Sequence, residues 1–171
     1  MKQIKMEIQK RNNTPQVIKP TESAEPNWLC TIFLAGSIEM GAAEDWQTKV
    51  ANSLEGLNVT LYNPRRDEWD SSWAQEQKSE NFNYQVNWEL NKLKESEIIF
   101  MHIDPNTKSP ITLLEFGMFA ESQKIILSCP DGFYRKGNLE VVCTRYKIHL
   151  YNDLETAIGA LRTLINQRTI V

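Results

Sequence analysis

Residues 98–122 read IIFMHIDPNTKSPITLLEFGMFAES. The first six form an apolar, β-rich run of strand length, stopped by Asp104-Pro105. Ser109-Pro110 then predicts a helix start, because a serine side chain can cap free N–H groups and proline suits the first helical position. The helix is expected to run to about Ser122. Residues 124–129 (KIILSC) repeat the buried-strand pattern and stop at Pro130. Strand, helix and strand in this order imply a βαβ unit with a right-handed crossover and parallel strands.

The same alternation extends in both directions. Residues 30–35 (CTIFLA) form an apolar run ended by Gly36, and residues 59–62 form a shorter one closed by Asn63-Pro64. Between them, residues 45–54 are helical in pattern, with Trp46, Val50 and Leu54 on one face. Residues 82–94 predict an amphipathic helix whose apolar stripe is Val86, Leu90 and Leu93. A last short strand is expected at residues 148–151, and a closing helix at 153–165 capped by Asn152 or Asp153. The expected fold is α/β, a flavodoxin-like three-layer sandwich with a parallel sheet of about five strands in the order 2-1-3-4-5. Residues 1–28 differ. They hold a possible strand within 2–11, followed by a polar stretch with three prolines, and are expected to form an arm or edge element on a domain spanning 29–171.

Composition narrows the function classes. The 171 residues suit one domain with a sizeable core. With 41% hydrophobic and 24% charged residues the chain reads as globular, and a net charge of −3 argues against a nucleic-acid binder that works by neutralising phosphates. No apolar run is long enough to span a membrane, and MKQIKMEIQKRNN lacks the apolar segment of a secretory signal. Cys30, Cys129 and Cys143 make neither a CxxC pair nor an even set, so neither zinc nor disulfides are expected, and a cytoplasmic location is the default.

In open parallel sheets the ligand cleft lies outside the carboxyl ends of the strands. This rule selects Gly36, Ser37, Ile38 and Glu39 after the first strand, and Asn63, Arg65, Arg66, Asp67, Trp69, Asp70 and Trp73 after the second. After the third come Asp104, Asn106, Thr107 and Ser109; after the fourth, Asp131, Tyr134, Arg135 and Lys136. Carboxylates, amides, hydroxyls, aromatics and arginines together suit a sugar or nucleoside better than a bare anion. GxGxxG and GxxxxGK[ST] are absent, so Gly36-Ser37 reads as a strand-ending turn before it reads as a phosphate cradle. Trp46 and His102 are expected in the core, and His149 says little.

Glu115 stands apart. Ile111 and Thr112 lie one turn before it, Met118 and Phe119 one turn after. A helix apolar nearly all round is normally buried, and an ionised carboxylate buried without a partner costs several kcal/mol. Such a residue is either paired or placed for chemistry. Because the near end of its helix faces the cleft, Glu115 reads as a candidate nucleophile that forms a covalent intermediate in a dry pocket.

Five segments in this order, IFLAGSIE, NPRRDEWDSSW, QVNWELNKLKESEIIFMHID, SPITLLEFGMFAES and CPDGFYRKGNLEVVC, resemble the nucleoside 2-deoxyribosyltransferase-like proteins, from about Thr31 to Cys143. The resemblance implies a flavodoxin-like fold and cleavage of an N-glycosidic bond with transfer of the deoxyribosyl group to another base. It places the glutamate nucleophile on Glu115, followed by Gly117. The acidic residue of a D-L pattern falls on Glu89-Leu90, the strand-end aspartate on Asp104, and the nucleoside-side turn on Gly36 and Ser37. Asn63, Arg65, Trp69, Asp70 and Ser109 complete the expected substrate-binding set. Family transferases carry an aspartate where this chain has Ser109, six residues before the glutamate, which touches on substrate preference.

The implied mechanism is retaining double displacement without metal or organic cofactor. Asp67, Asp70 and Tyr84 are candidates for the general acid. The expected partner is a small nucleoside or nucleotide, with assembly as a homo-oligomer and no role for nucleic acid or membrane. Two alternatives share the cleft: a nucleoside 5′-monophosphate N-glycosidase using Arg65, Arg66, Arg135 and Lys136 for the phosphate, and a non-catalytic nucleotide sensor.

Overall fold

A computed structural model of the chain describes residues 14–27, 30–38, 43–66 and 74–169. Six strands form one sheet: β1 Gln16–Ile18, β2 Thr31–Gly36, β3 Thr60–Tyr62, β4 Ile98–His102, β5 Ile125–Ser128 and β6 His149–Tyr151. Their order is β1-β3-β2-β4-β5-β6, and every neighbouring pair is parallel. The four strands expected from residue 30 to residue 129 are therefore present and parallel. With β6 they keep the 2-1-3-4-5 order of a flavodoxin-like fold, and β1 adds an edge strand beside β3. The strand considered within residues 2–11 lies outside the described residues.

The helices are α1 Trp46–Ser53, α2 Glu80–Glu95, α3 Pro110–Phe119 with a 3-10 turn at Ala120–Ser122, α4 Lys136–Tyr146 and α5 Leu154–Thr169. Side chains of a strand alternate between its two faces. Phe33, Met101 and Leu127 meet Leu93, Phe116 and Leu139 of α2, α3 and α4 on one face. Leu34, Phe100 and Ile126 meet Val50 of α1 and Leu161 of α5 on the other. Both faces of β2 and β4 are therefore dry, which explains their uninterrupted apolar runs. Each fully buried side chain of this kind contributes about 1.5–3 kcal/mol. Trp46 is 1% exposed and belongs to this core, as expected. No helix among the described residues is long and apolar enough to cross a membrane.

Four local expectations are corrected. Helix α4 was not anticipated from the sequence, where residues 131–136 read only as loop. Along α2 the inward face is not Val86, Leu90 and Leu93: Gln85 and Leu93 are buried, while Leu90 is 37% exposed. Helix α3 is not apolar and buried all round, because Ile111, Leu114 and Met118 face outward. Ser109 occupies the N-cap position but makes no side-chain cap. It sits in the left-handed region at φ 45°, ψ 50°, and its hydroxyl turns elsewhere.

Candidate active site

Helix α3 leaves the carboxyl end of β4, and the segment feeding α2 leaves that of β3. The neighbours β2 and β4 send the chain in opposite directions, β2 through α1 on one face toward β3 and β4 through α3 on the other toward β5, which opens a crevice between their carboxyl ends. The turn closing β2 is tightly clamped. A Cβ on Gly36 would lie 2.1 Å from the His102 carbonyl oxygen and 2.8 Å from a ring carbon of Trp46. The Ser37 N–H donates to the His102 carbonyl (3.0 Å), and the Trp46 indole N–H donates to the Ser37 carbonyl (3.0 Å).

The Ser37 hydroxyl joins this turn to the start of α3. Its oxygen accepts the Asp104 N–H (2.9 Å) and lies 2.9 Å from Thr107 Oγ1 and 2.5 Å from Ser109 Oγ; the last two oxygens are 2.7 Å apart. Thr107 gives its proton to the Asp104 carbonyl (2.8 Å). Either partner can be the donor in the contact of Ser37 with Ser109. This network explains the conformation of Ser109. A left-handed residue directly before a proline is unfavourable, and two hydroxyl partners hold it there. These contacts tie the start of α3, the helix that carries Glu115, to the turn closing β2.

Glu115 is 8% exposed on the inner side of α3. Burial pushes its carboxyl up to about 8, and the negative charge of Glu89 pushes in the same direction. Glu89 projects from α2 and is only partly buried. Burial raises it to about 6, against the pull of a hydrogen bond from Gln85 and the positive charge of Arg66. Glu115 has neither kind of relief among the described residues. The two carboxyl groups are close enough for the charge of Glu89 to act on Glu115, and their hold on a proton is unequal, an arrangement suited to proton transfer beside a nucleophile.

Other expected site residues have structural duties. The Asn63 side chain accepts the Arg65 N–H (3.0 Å). The Arg65 guanidinium donates to the carbonyls of Ala43 (2.9 Å) and Glu44 (3.2 Å), so it braces the chain entering α1. The Asp104 carboxylate accepts the N–H (2.8 Å) and side-chain amide (3.1 Å) of Asn106, shaping the turn after β4. Lys136 pairs with Asp131 (2.5 Å) and Asn152 (2.7 Å). Tyr84 donates its hydroxyl to the Pro20 carbonyl (2.8 Å), tying α2 to the N-terminal segment. Trp69 and Asp70, with Asp67, lie outside the described residues. His102 is a satisfied core histidine: its Nδ1 meets Ser128 Oγ at 3.0 Å, and burial holds it down to about 4.

The sequence profile described as nucleoside 2-deoxyribosyltransferase-like matches residues 29–133. The chain belongs to this family. The match includes Gly36, Ser37, Glu89, Asp104, Ser109 and Glu115, and ends short of Cys143, where the sequence resemblance runs out. No curated protein sequence matches the chain. Within this family member, Gln85 and Trp88 are the inward residues that the sequence reading passed over. Trp88 lies against Phe33 and Tyr62, each at 6.2 Å between ring centroids. Gln85 stands one turn before Glu89, and that i,i+4 spacing was the available signal. A cavity of about 530 Å³ on the β6 edge, lined by Glu140, Cys143, Lys147 and His149 among others, shares no residue with this site.

Proposed function

We propose that the protein cleaves the N-glycosidic bond of a (deoxy)nucleoside and transfers the deoxyribosyl group to another base through a covalent ester on Glu115. The observation that carries this reading is the Glu115–Glu89 pair, a buried and a partly buried carboxyl group with unequal proton affinities on the helices that follow β4 and β3. The sugar is placed between the Gly36-Ser37 turn and Glu115, near Asp104. The working pair holds one proton. It passes to Glu89, and the Glu115 carboxylate attacks C1′ from the face opposite the base. The C1′–N bond breaks through an oxocarbenium-like transition state, its electron pair moves to the base nitrogen, and Glu89 protonates that nitrogen. An incoming base then attacks C1′ and gives its proton to Glu89, restoring Glu115 with overall retention. Binding energy is used where charge develops on the sugar rather than on the resting substrate.

Family membership and the absence of any spare role for Glu115 in the described packing support the reading. A 5′-monophosphate hydrolase draws support from one observation: the Ser109 side chain does not cap the first turn of α3, whose N–H donors suit an anion. Against it, Arg65 and Lys136, two of the cations expected for a phosphate, are engaged elsewhere. The test is a screen of nucleosides and 5′-monophosphates for base release, with and without an acceptor base. Exchange that depends on acceptor supports transfer; acceptor-independent release from monophosphates supports the hydrolase. Tight binding without release of any base would make the protein a sensor and sink both.

The pH profile follows from the pair. Below about 6 the second proton arrives and no carboxylate remains to attack; above about 8 the last proton leaves and the base departs unprotonated. The kcat/KM profile is expected to be a bell centred near neutrality. A rate still rising beyond pH 9 would contradict the shared proton.

Assembly as a homo-oligomer belongs to the same reading. Ile111, Leu114 and Met118 form an exposed apolar stripe on α3, each more than half exposed, and a second copy is the proposed cover. Sedimentation at micromolar concentration should show more than a monomer; a monomer alone would count against it.

A further inference from the structure

The Gln85 amide is locked in one orientation by a neighbour that is not part of the chemistry. Its Nε2 donates both to the Pro64 carbonyl (3.1 Å) and to Glu89 Oε1 (2.6 Å). Gln85 is 4% exposed, and its Oε1 finds no hydrogen-bond partner among the described residues. A buried acceptor left unpaired is unfavourable, so the amide would be expected to turn over if turning helped. It does not help. The reversed amide would set its oxygen against the Pro64 carbonyl, which accepts and never donates. Pro64 lies at the end of β3, so the sheet itself dictates which end of the amide Glu89 meets.

The geometry points to Gln85 as a positioning residue: held by the Pro64 carbonyl, its N–H keeps Glu89 as the ionised partner and leaves the resting proton of the pair on Glu115. An N–H donor favours a charged acceptor, and a protonated Glu89 Oε1 would lose most of that bond. Among the described residues, the other charged groups acting on the pair are Arg66, which also favours ionised Glu89, and the two carboxyls themselves. The consequence for turnover rests on the function proposed above. The pair is stored in the wrong tautomer for attack, and substrate binding has to move the proton from Glu115 to Glu89. The Gln85 Oε1, without a partner among the described residues, is the acceptor that a protonated Glu89 would prefer, and Pro64 withholds it.

Gln85→Leu and the more nearly isosteric Gln85→Met remove the donor. With carboxyl-labelled glutamate, the Glu89 and Glu115 resonances are assigned through Glu89→Gln and Glu115→Gln and followed against pH. The midpoint for Glu89 should move up by about one pH unit in both Gln85 variants. The acid limb of kcat/KM should move with it, while the alkaline limb stays. Melting temperature is recorded on the same samples. An unmoved Glu89 midpoint in a folded Leu or Met variant overturns the proposal, and lost stability alone assigns Gln85 a structural role. A moved midpoint in a protein that releases no base from any nucleoside would support the hold on the proton while defeating the proposed reaction.

Discussion

Glu115→Gln is expected to abolish base release while making the protein more stable. If Glu115 is the nucleophile, the amide cannot form the ester, and losses of several orders of magnitude are expected, as for other covalent enzymes. The stability sign follows from linkage. The folded-state carboxyl is raised to about 8 from 4.5, so folding favours the protonated form. That contribution is fully present below the unfolded value and is lost as pH rises through the folded one. Near neutrality and above, the wild type therefore carries a cost of a few kcal/mol that glutamine lacks. The Gln variant should melt higher than wild type, with the gap widening from about pH 5 to pH 8. Turnover and melting temperature measured together separate the readings. A Gln variant that melts early and keeps near-normal turnover would make Glu115 structural.

Gly36→Ala should be the most damaging conservative change on the sheet edge. The added methyl would sit 2.1 Å from a backbone oxygen of β4, and the φ of 152° is strained for any side chain. The obstacle is the neighbouring strand, paired with β2 through Gly36 and His102, so relief means parting two central strands. A loss of about 3–5 kcal/mol is expected, a large share of a typical domain's stability. Chemical denaturation reads it directly. An Ala variant within about 1 kcal/mol of wild type would show that the turn has room the contacts deny.

The strands were legible because burial on both faces leaves mostly apolar residues between turn signals; β4 is buried along its whole length. Edge elements were harder. Strand β1 has only three residues and one fully buried side chain, Ile18. Helix α4 hid because its buried stripe is just Leu139 and Cys143, and the adjacent Val141 is 71% exposed. That blurs the 3.6-residue period on which helix recognition depends.

The site was legible in part for the opposite reason. Glu115 breaks the apolar pattern of α3, and such violations concentrate where chemistry is done. The same logic explains the misread face of α2. Looking for apolar residues led to Leu90, whereas a helix that covers a polar crevice turns Gln85 and Glu89 inward. The role of Arg65 was invisible because a guanidinium suits carbonyls as well as phosphates, and only the chain path brings Ala43 and Glu44 beside it. Ser109 misled similarly: its hydroxyl partner Ser37 lies far away in sequence.

Covalent attack by Glu115 is the central claim, and trapping the intermediate tests it most directly. A 2′-fluoro nucleoside slows breakdown of the ester, because the electron-withdrawing fluorine destabilises the oxocarbenium-like transition state. Protein quenched during turnover and digested should carry one fluorosugar adduct on the peptide containing Glu115, absent from Glu115→Gln. An adduct on another carboxylate, such as Asp70 or Glu89, would leave the fold intact and contradict the assignment of the nucleophile.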